Sequence, residues 1–166
     1  RTNNPYDHSR IVGGSSGGEG AIIAAAGSPF GLGSDIGGSI RLPAFFNGIF
    51  GHKPTGGLIP NEGQFPFVKS NYLTTGPLCR RAEDLMPLLK ILSGQERLGD
   101  PHEVDLSRLT VLDVQDNGLH RVNRDLQAAQ GAAAQALGRL GAQVKKVQFK
   151  NLKKSFEIWS TMLNDA

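Results

Sequence analysis

The sequence is short of several things, and each shortage excludes a class of protein. It holds one cysteine, Cys79, in 166 residues. No internal disulfide can form, which excludes a small secreted scaffold stapled by bridges and fits a reducing, intracellular compartment. A lone cysteine of this kind reads first as a small buried hydrophobe and only second as a reactive thiol. Aromatic residues make up 7% of the chain, too few interleaved with basic ones to suggest a surface that stacks on bases, and no nucleic-acid partner is expected. No apolar run approaches the roughly 20 residues that span a bilayer. The opening stretch "RTNNPYDHSR" lacks the apolar segment of a signal peptide and does not begin with Met, so we expect an internal fragment.

Glycine, by contrast, is abundant: 22 residues, against a usual share of about 7%. Most precede Gly99, so sites built from bare backbone are expected in the first half. The formal net charge of +3 comes largely from Lys145, Lys146, Lys150, Lys153 and Lys154. A solvated helix face is the plainer reading of that cluster, and a membrane-surface or nucleic-acid patch the sharper one.

From Gly17, "GGEGAIIAAAGS" reads as a short helix apolar on most faces, hence buried, ended by Gly27-Ser28-Pro29. A second Gly-rich turn follows around Asp35 to Ser39, then a brief apolar stretch closed by Gly48. "IFGHKPTGGLIP" predicts a short strand running into turns, and "FPFVKSNYLTTGPL" mostly loop. "RAEDLMPLLKILSG" places Leu85, Leu88, Leu89 and Leu92 on one helical face, with Pro87 near the first turn and Gly94 as the stop. "LTVLDVQD" predicts a strand, Val122 to about Leu140 a helix, and "AQVKKVQF" another strand. "NLKKSFEIWSTMLNDA" sets Leu152, Phe156, Trp159 and Leu163 at helical spacing, expected as a core stripe. The alternation of strand and helix after Leu109 predicts an α/β architecture.

The chemistry-bearing stretch is "GGSSGGEGA", Gly13 to Ala21. It precedes a helix, as a phosphate cradle does, but lacks the Gly-Lys-Ser/Thr of one and carries the acidic Glu19. Gly13 to Gly17 matches the G-x-S-x-G elbow of α/β-hydrolases, yet only Ile11 and Val12 stand where that elbow needs a hydrophobic strand. The second turn, "GSDIGGSIR", sets Ser39 after two glycines. The N–H groups of Ile36, Gly37, Gly38 and Ser39 can converge on one point there, as an oxyanion hole requires. Ser39 lies 24 residues after Ser15, a span that a helix and a return loop can fold back on itself.

"GGSSGGEGA", "GLGSDIGGSIRLPA" and "GIFGHKPT" together resemble the amidase signature family, over nearly the whole chain and most strongly over residues 3 to 94. The likeness is greatest to members acting on fatty-acid amides, through "NNPYDH" and "TGPLCRRAEDL" as well. It implies an α/β fold with a mixed sheet covered by helices on both faces. Residues 1–166 would be an internal part of one amidase domain, with a signature core at 11–56 and an α/β continuation at 80–166. It implies hydrolysis of carboxylic amides by acyl transfer through a Ser-Ser-Lys triad. Ser39 matches the nucleophile and Ser15 the bridging serine, which the family holds beside a cis peptide. Ile36, Gly37, Gly38 and Ser39 match the oxyanion hole, with Ser16, Arg41 and Asp35 in support. Taken singly, either serine also reads as a turn or cap residue.

The family's lysine lies upstream of Ser15 in a segment this chain does not contain. Lys53, the nearest candidate, sits in a stretch that is structural in the family. The resemblance implies no cofactor and no metal, and leaves His8, His52, His102 and His120 structural or exposed. It implies a small-molecule amide substrate, expected to be a lipid. Membrane attachment through segments outside the chain, and a homodimer, stay open. So do two other readings: a binding protein that kept the scaffold without catalysis, and an amidotransferase subunit of the same family.

Overall fold

The computed structural model describes residues 1–65 and 71–164 in two compact units, the first Arg1–Asp100 and the second from Pro101 on. In the first unit the chain forms α1 (Gly17–Ala24), β1 (Phe30–Asp35), α2 (Arg41–Asn47), β2 (Phe50–Gly51), β3 (Thr74–Cys79) and α3 (Leu85–Ser93). The strands make one antiparallel sheet in the order β1-β3-β2. Its register pairs Asp35 with Thr74 and Gly33 with Gly76, and Phe50 with Cys79. Ile23, Ile40, Ala44, Ile49 and Leu78 form the core between α1, α2 and the sheet. Ile23, Ile40 and Leu78 are wholly buried, each contributing about 1.5–3 kcal/mol from the apolar area removed from water.

Two expectations need correction in this unit. The stretch "FPFVKSNYLTTGPL", expected as loop, contains the central strand β3; its residues 66–70 lie outside the described residues. Pro77 and Gly76 argue against a central strand on propensity, and pairing with β1 on one side and β2 on the other overrides that. α1 is not buried all round, since Ile22 is 48% exposed while Ile23 is 0% exposed. The helix also stops short of Gly27, with Ala25 as its C-terminal cap. The expected helix from Leu85 is present, Pro87 falls in its first turn where no intrahelical N–H is needed, and it ends at Gly94.

The second unit holds β4 (Thr110–Asp113), α4 (Arg124–Arg139), β5 (Gln143–Lys146) and α5 (Ser155–Asn164). β4 and β5 pair in parallel, Thr110 with Gln143 through Asp113 with Lys146, so β4-α4-β5 is the α/β unit that the alternation predicts. The expected core stripe on α5 is not one. Phe156 and Trp159 pack together at 5.9 Å between ring centres, but they are 61% and 40% exposed. Helical spacing decides which residues share a face; it does not supply an element to cover that face. The side chain of Leu163 lies outside the described residues. Among the described residues no helix is long and apolar enough to cross a membrane.

Candidate active site

The second Gly-rich turn is organised by one carboxylate. β1 delivers Asp35 into the interior with 0% of it exposed. Its oxygens then accept from three N–H groups of the chain that follows: Gly38 at 2.6 Å, Ile40 at 3.2 Å and Arg41 at 3.3 Å. The last two belong to the start of α2, whose first N–H groups have no partner within the helix. Arg41 closes the arrangement by donating Nε at 2.9 Å and Nη2 at 3.0 Å to the same carboxylate. Burial alone would raise the Asp35 pKa; the Arg41 guanidinium and the backbone donors outweigh it and bring it down to about 2. Ile36 to Ser39 are thereby wrapped around a fixed anion.

Gly38 has φ +113°, a left-handed conformation that favours glycine, while a Cβ there would meet only the movable end of the Leu42 side chain. Its N–H is directed at Asp35, however. Of the four N–H groups expected to face an oxyanion, that one is already committed, while those of Ile36, Gly37 and Ser39 carry no turn or loop bond among the described residues.

The first turn is tied to the second through α2. Asn47, on the last turn of α2, donates Nδ2 to Val12 O at 2.8 Å and to Pro43 O at 2.9 Å. Asn4 donates to Ile11 O at 3.0 Å and to Phe46 O at 2.9 Å. Gly13 follows with φ +73°, and a Cβ on it would lie 2.9 Å from the backbone of Leu42 and Pro43. The Gly14–Ser15 peptide is cis. The N–H of Ser16 then donates to Ser39 O at 3.2 Å, so the serine pair and Ser39 are neighbours across the two turns. No hydrogen bond joins the Ser15 and Ser39 hydroxyls to each other among the described residues. Ser16 supports the arrangement through its main chain. Its Oγ lies over β1, 2.6 Å from where a side chain on Gly33 would begin.

Behind the second turn, the Lys53 ammonium donates to Asp35 O, Tyr72 O and Thr74 Oγ1. Burial lowers its pKa, attraction to Asp35 opposes that, and repulsion from Arg41 adds to it. In front, a cleft of about 700 Å³ opens along Ser15, Ser16, Leu32, Gly33, Ile59 and Thr75. Glu19 and Glu62 also line it, and Ser39 does not.

Comparison with known proteins meets this geometry at the family level. A family profile described as Amidase matches residues 1–165. The chain belongs to the amidase family. Fatty-acid amide hydrolase 2-A of Danio rerio is 51% identical over 98% of the chain and 32% of its own length. A glutamyl-tRNA(Gln) amidotransferase subunit of Macrococcus caseolyticus is 36% identical over 92% of the chain and 34% of its own length. A solved structure titled fatty acid amide hydrolase superposes with a TM-score of 0.81 at 30% identity, covering 98% of the chain and 31% of that structure. The chain thus spans about a third of the length of the curated relatives it matches, and its α/β fold is that of solved amidases.

His8, His102 and His120 are exposed. His52 is half-buried with its pKa lowered by burial, and its N–H donates to Pro77 O at 3.0 Å. Among the described residues no group of three potential metal ligands occurs. The sequence reading missed Asn4 and Asn47, which hold the first turn to α2. Their only signal is a polar residue beside apolar neighbours, as in "AFFNG", and it does not name a partner 35 or 42 residues away.

Proposed function

We propose that this chain is an internal part of a single amidase domain, with a signature core at 11–56 and a continuation at 80–166, and carries the nucleophile of a serine amidase. Ser39 Oγ attacks the carbonyl carbon of a carboxylic amide. Ser15 takes the hydroxyl proton and passes it toward a lysine supplied from outside this chain. The N–H groups of Ile36, Gly37 and Ser39 stabilise the oxyanion, and Gly38 provides the bend that aims them. The same proton path, reversed, delivers a proton to the leaving amine, and water then releases the acid from Ser39. Asp35 and Arg41 hold the turn, and Ser16 couples it to Ser15.

The observation that carries this reading is the 3.2 Å bond from Ser16 N–H to Ser39 O. It ties together two turns that are distant in sequence, which supports a site shared between them. The substrate is proposed as a fatty-acid amide. In support, identity is higher to the relative named for that activity, 51%, than to the amidotransferase subunit, 36%. The apolar side chain of Ile36 beside the nucleophile fits an acyl chain. Without the lysine, the chain on its own is proposed to be inactive.

The test is a fluorophosphonate probe, which esterifies an activated serine, applied to the full-length protein. The wild type is labelled at Ser39 and turns over a long-chain fatty-acid amide, and Ser39→Ala abolishes both. Labelling that persists in Ser39→Ala would remove Ser39 from the reaction.

A further inference from the structure

Among the described residues, Lys53 is the basic side chain bonded to the backbone of the nucleophile turn from behind, and the reading of the site above leaves it without a task. It follows β2 on a strap packed close against β3. The N–H of His52 donates to Pro77 O at 3.0 Å, and Gly76 leaves no space for a side chain between itself and His52 O. From there the ammonium reaches across the end of β3 to the end of β1. All three of its N–H donors are occupied, two by the carbonyls of Asp35 and Tyr72 and one by Thr74 Oγ1.

The carbonyl of Asp35 and the N–H of Ile36 belong to one peptide group. Cis peptide bonds occur at Gly14–Ser15 and not at Asp35–Ile36, so this group is planar and trans, with its C=O and N–H pointing in opposite directions. A cation bonded to the oxygen has two consequences. It fixes the plane of the peptide, which aims the Ile36 N–H away from Lys53. It also polarises the amide, drawing density toward oxygen and making the N–H a stronger donor, as in any chain of cooperative hydrogen bonds.

We infer that Lys53 is a positioning residue for catalysis, holding and polarising the Asp35–Ile36 peptide so that the Ile36 N–H serves as a preorganised oxyanion donor. This rests on the reading that the Ile36 to Ser39 turn receives the substrate oxyanion. Lys53 touches neither the substrate nor the proton path, and a carbonyl acceptor alone would not require a cation.

The experiment compares Lys53→Met, Lys53→Arg and Ser39→Ala in the full-length protein. It measures kcat and KM for a fatty-acid amide, affinity for a trifluoromethyl ketone that forms a tetrahedral oxyanion, and affinity for a non-electrophilic amide analogue. For Lys53→Met we expect kcat to fall roughly ten- to a hundredfold, somewhat less than the loss of a whole oxyanion donor. KM stays within about threefold, because the interaction matters most in the transition state. Trifluoromethyl ketone affinity falls with kcat, analogue affinity holds, and Lys53→Arg recovers most of the loss. A purely structural role would instead weaken both ligands together, and that result overturns the inference. So does unchanged kcat. If Lys53→Met does not fold, as judged by circular dichroism, Thr74→Val removes one of the ammonium's acceptors; a smaller fall confined to kcat supports the inference and no change overturns it. Should Ser39→Ala stay active, the reading of the site fails; should Ser39→Ala be inactive while Lys53→Met is unimpaired, only the inference fails.

Discussion

Replacing Asp35 by Asn keeps the shape of the side chain and removes the charge around which the Ile36 to Ser39 turn is wound. The loss can be worked from the contacts. The pKa shift from 3.8 to about 2 is worth about 2 kcal/mol of folded-state preference for the carboxylate, at 1.36 kcal/mol per unit. The Arg41 guanidinium is the largest single favourable contribution, discounted because its side chain is 55% exposed and exposed pairs contribute about 1 kcal/mol or less. The backbone donors follow it, led by Gly38 N–H at 2.6 Å. Asn also sets an NH₂ group where at least two N–H donors now converge, and a buried donor left unmet costs about 1–3 kcal/mol more. We therefore expect Asp35→Asn to lower stability by about 3–5 kcal/mol in denaturant unfolding of the full-length protein, with loss of fluorophosphonate labelling at Ser39. The pH dependence carries the same signature. The folded pKa lies below the ordinary value of 3.8, so the contribution is complete above that value, declines as pH falls through the interval, and is gone once pH drops below about 2. Asp35→Asn removes that part of the acid limb. A destabilisation under about 1 kcal/mol, or an acid-unfolding profile identical to wild type, would refute the claim that this carboxylate organises the turn.

Two further predictions concern the backbone and the thiol. Gly13→Ala puts a Cβ 2.9 Å from main-chain atoms of Leu42 and Pro43 at φ +73°; since neither partner is a flexible side-chain end, we expect a loss of about 1–3 kcal/mol, and a change under a few tenths by denaturant unfolding counts against the geometry. Cys79 is 0% exposed, and burial, with Asp84 adding to it, pushes its thiol up to about 11. Iodoacetamide at pH 8 is therefore expected to leave it unmodified in the native protein and to label it after denaturation, so stoichiometric labelling of the native state would contradict the assignment.

What the sequence revealed and what it hid divide along a physical line. Clustered glycines beside Ser15 and Ser39 are legible because they respond to local demands, a sharp bend and a close backbone approach, that no other residue meets. The α/β unit from β4 to β5 is legible because its alternation runs consecutively along the chain. The carboxylate of Asp35 could be placed as a support because all its partners lie within the next six residues. Lys53 could not be given its three acceptors, which lie 18 to 21 residues away on either side of it. The stripe on α5 misled for the complementary reason: Phe156 and Trp159 share a helix face, and burial depends on what is brought against it.

The strands beside the site were the hardest elements to read, and the site itself is the reason. β1 is "FGLGSD", poor in the β-branched residues that mark strands, and β3 is "TTGPLC", interrupted by Gly76 and Pro77. Gly33 faces Gly76 in the register. A side chain on Gly33 would meet Ser16 Oγ and Ile40, and one on Gly76 would meet the His52 carbonyl. The sheet is stripped of side chains at that level so that the serine turn can lie on one part of it and the Lys53 strap on another. Propensity gives way where neighbouring segments approach closely, and pairing across the ladder, together with the burial of Leu78, holds the strands in its place. A Gly-rich strand flanked by Gly-Ser turns is therefore itself a sign of a backbone-built site.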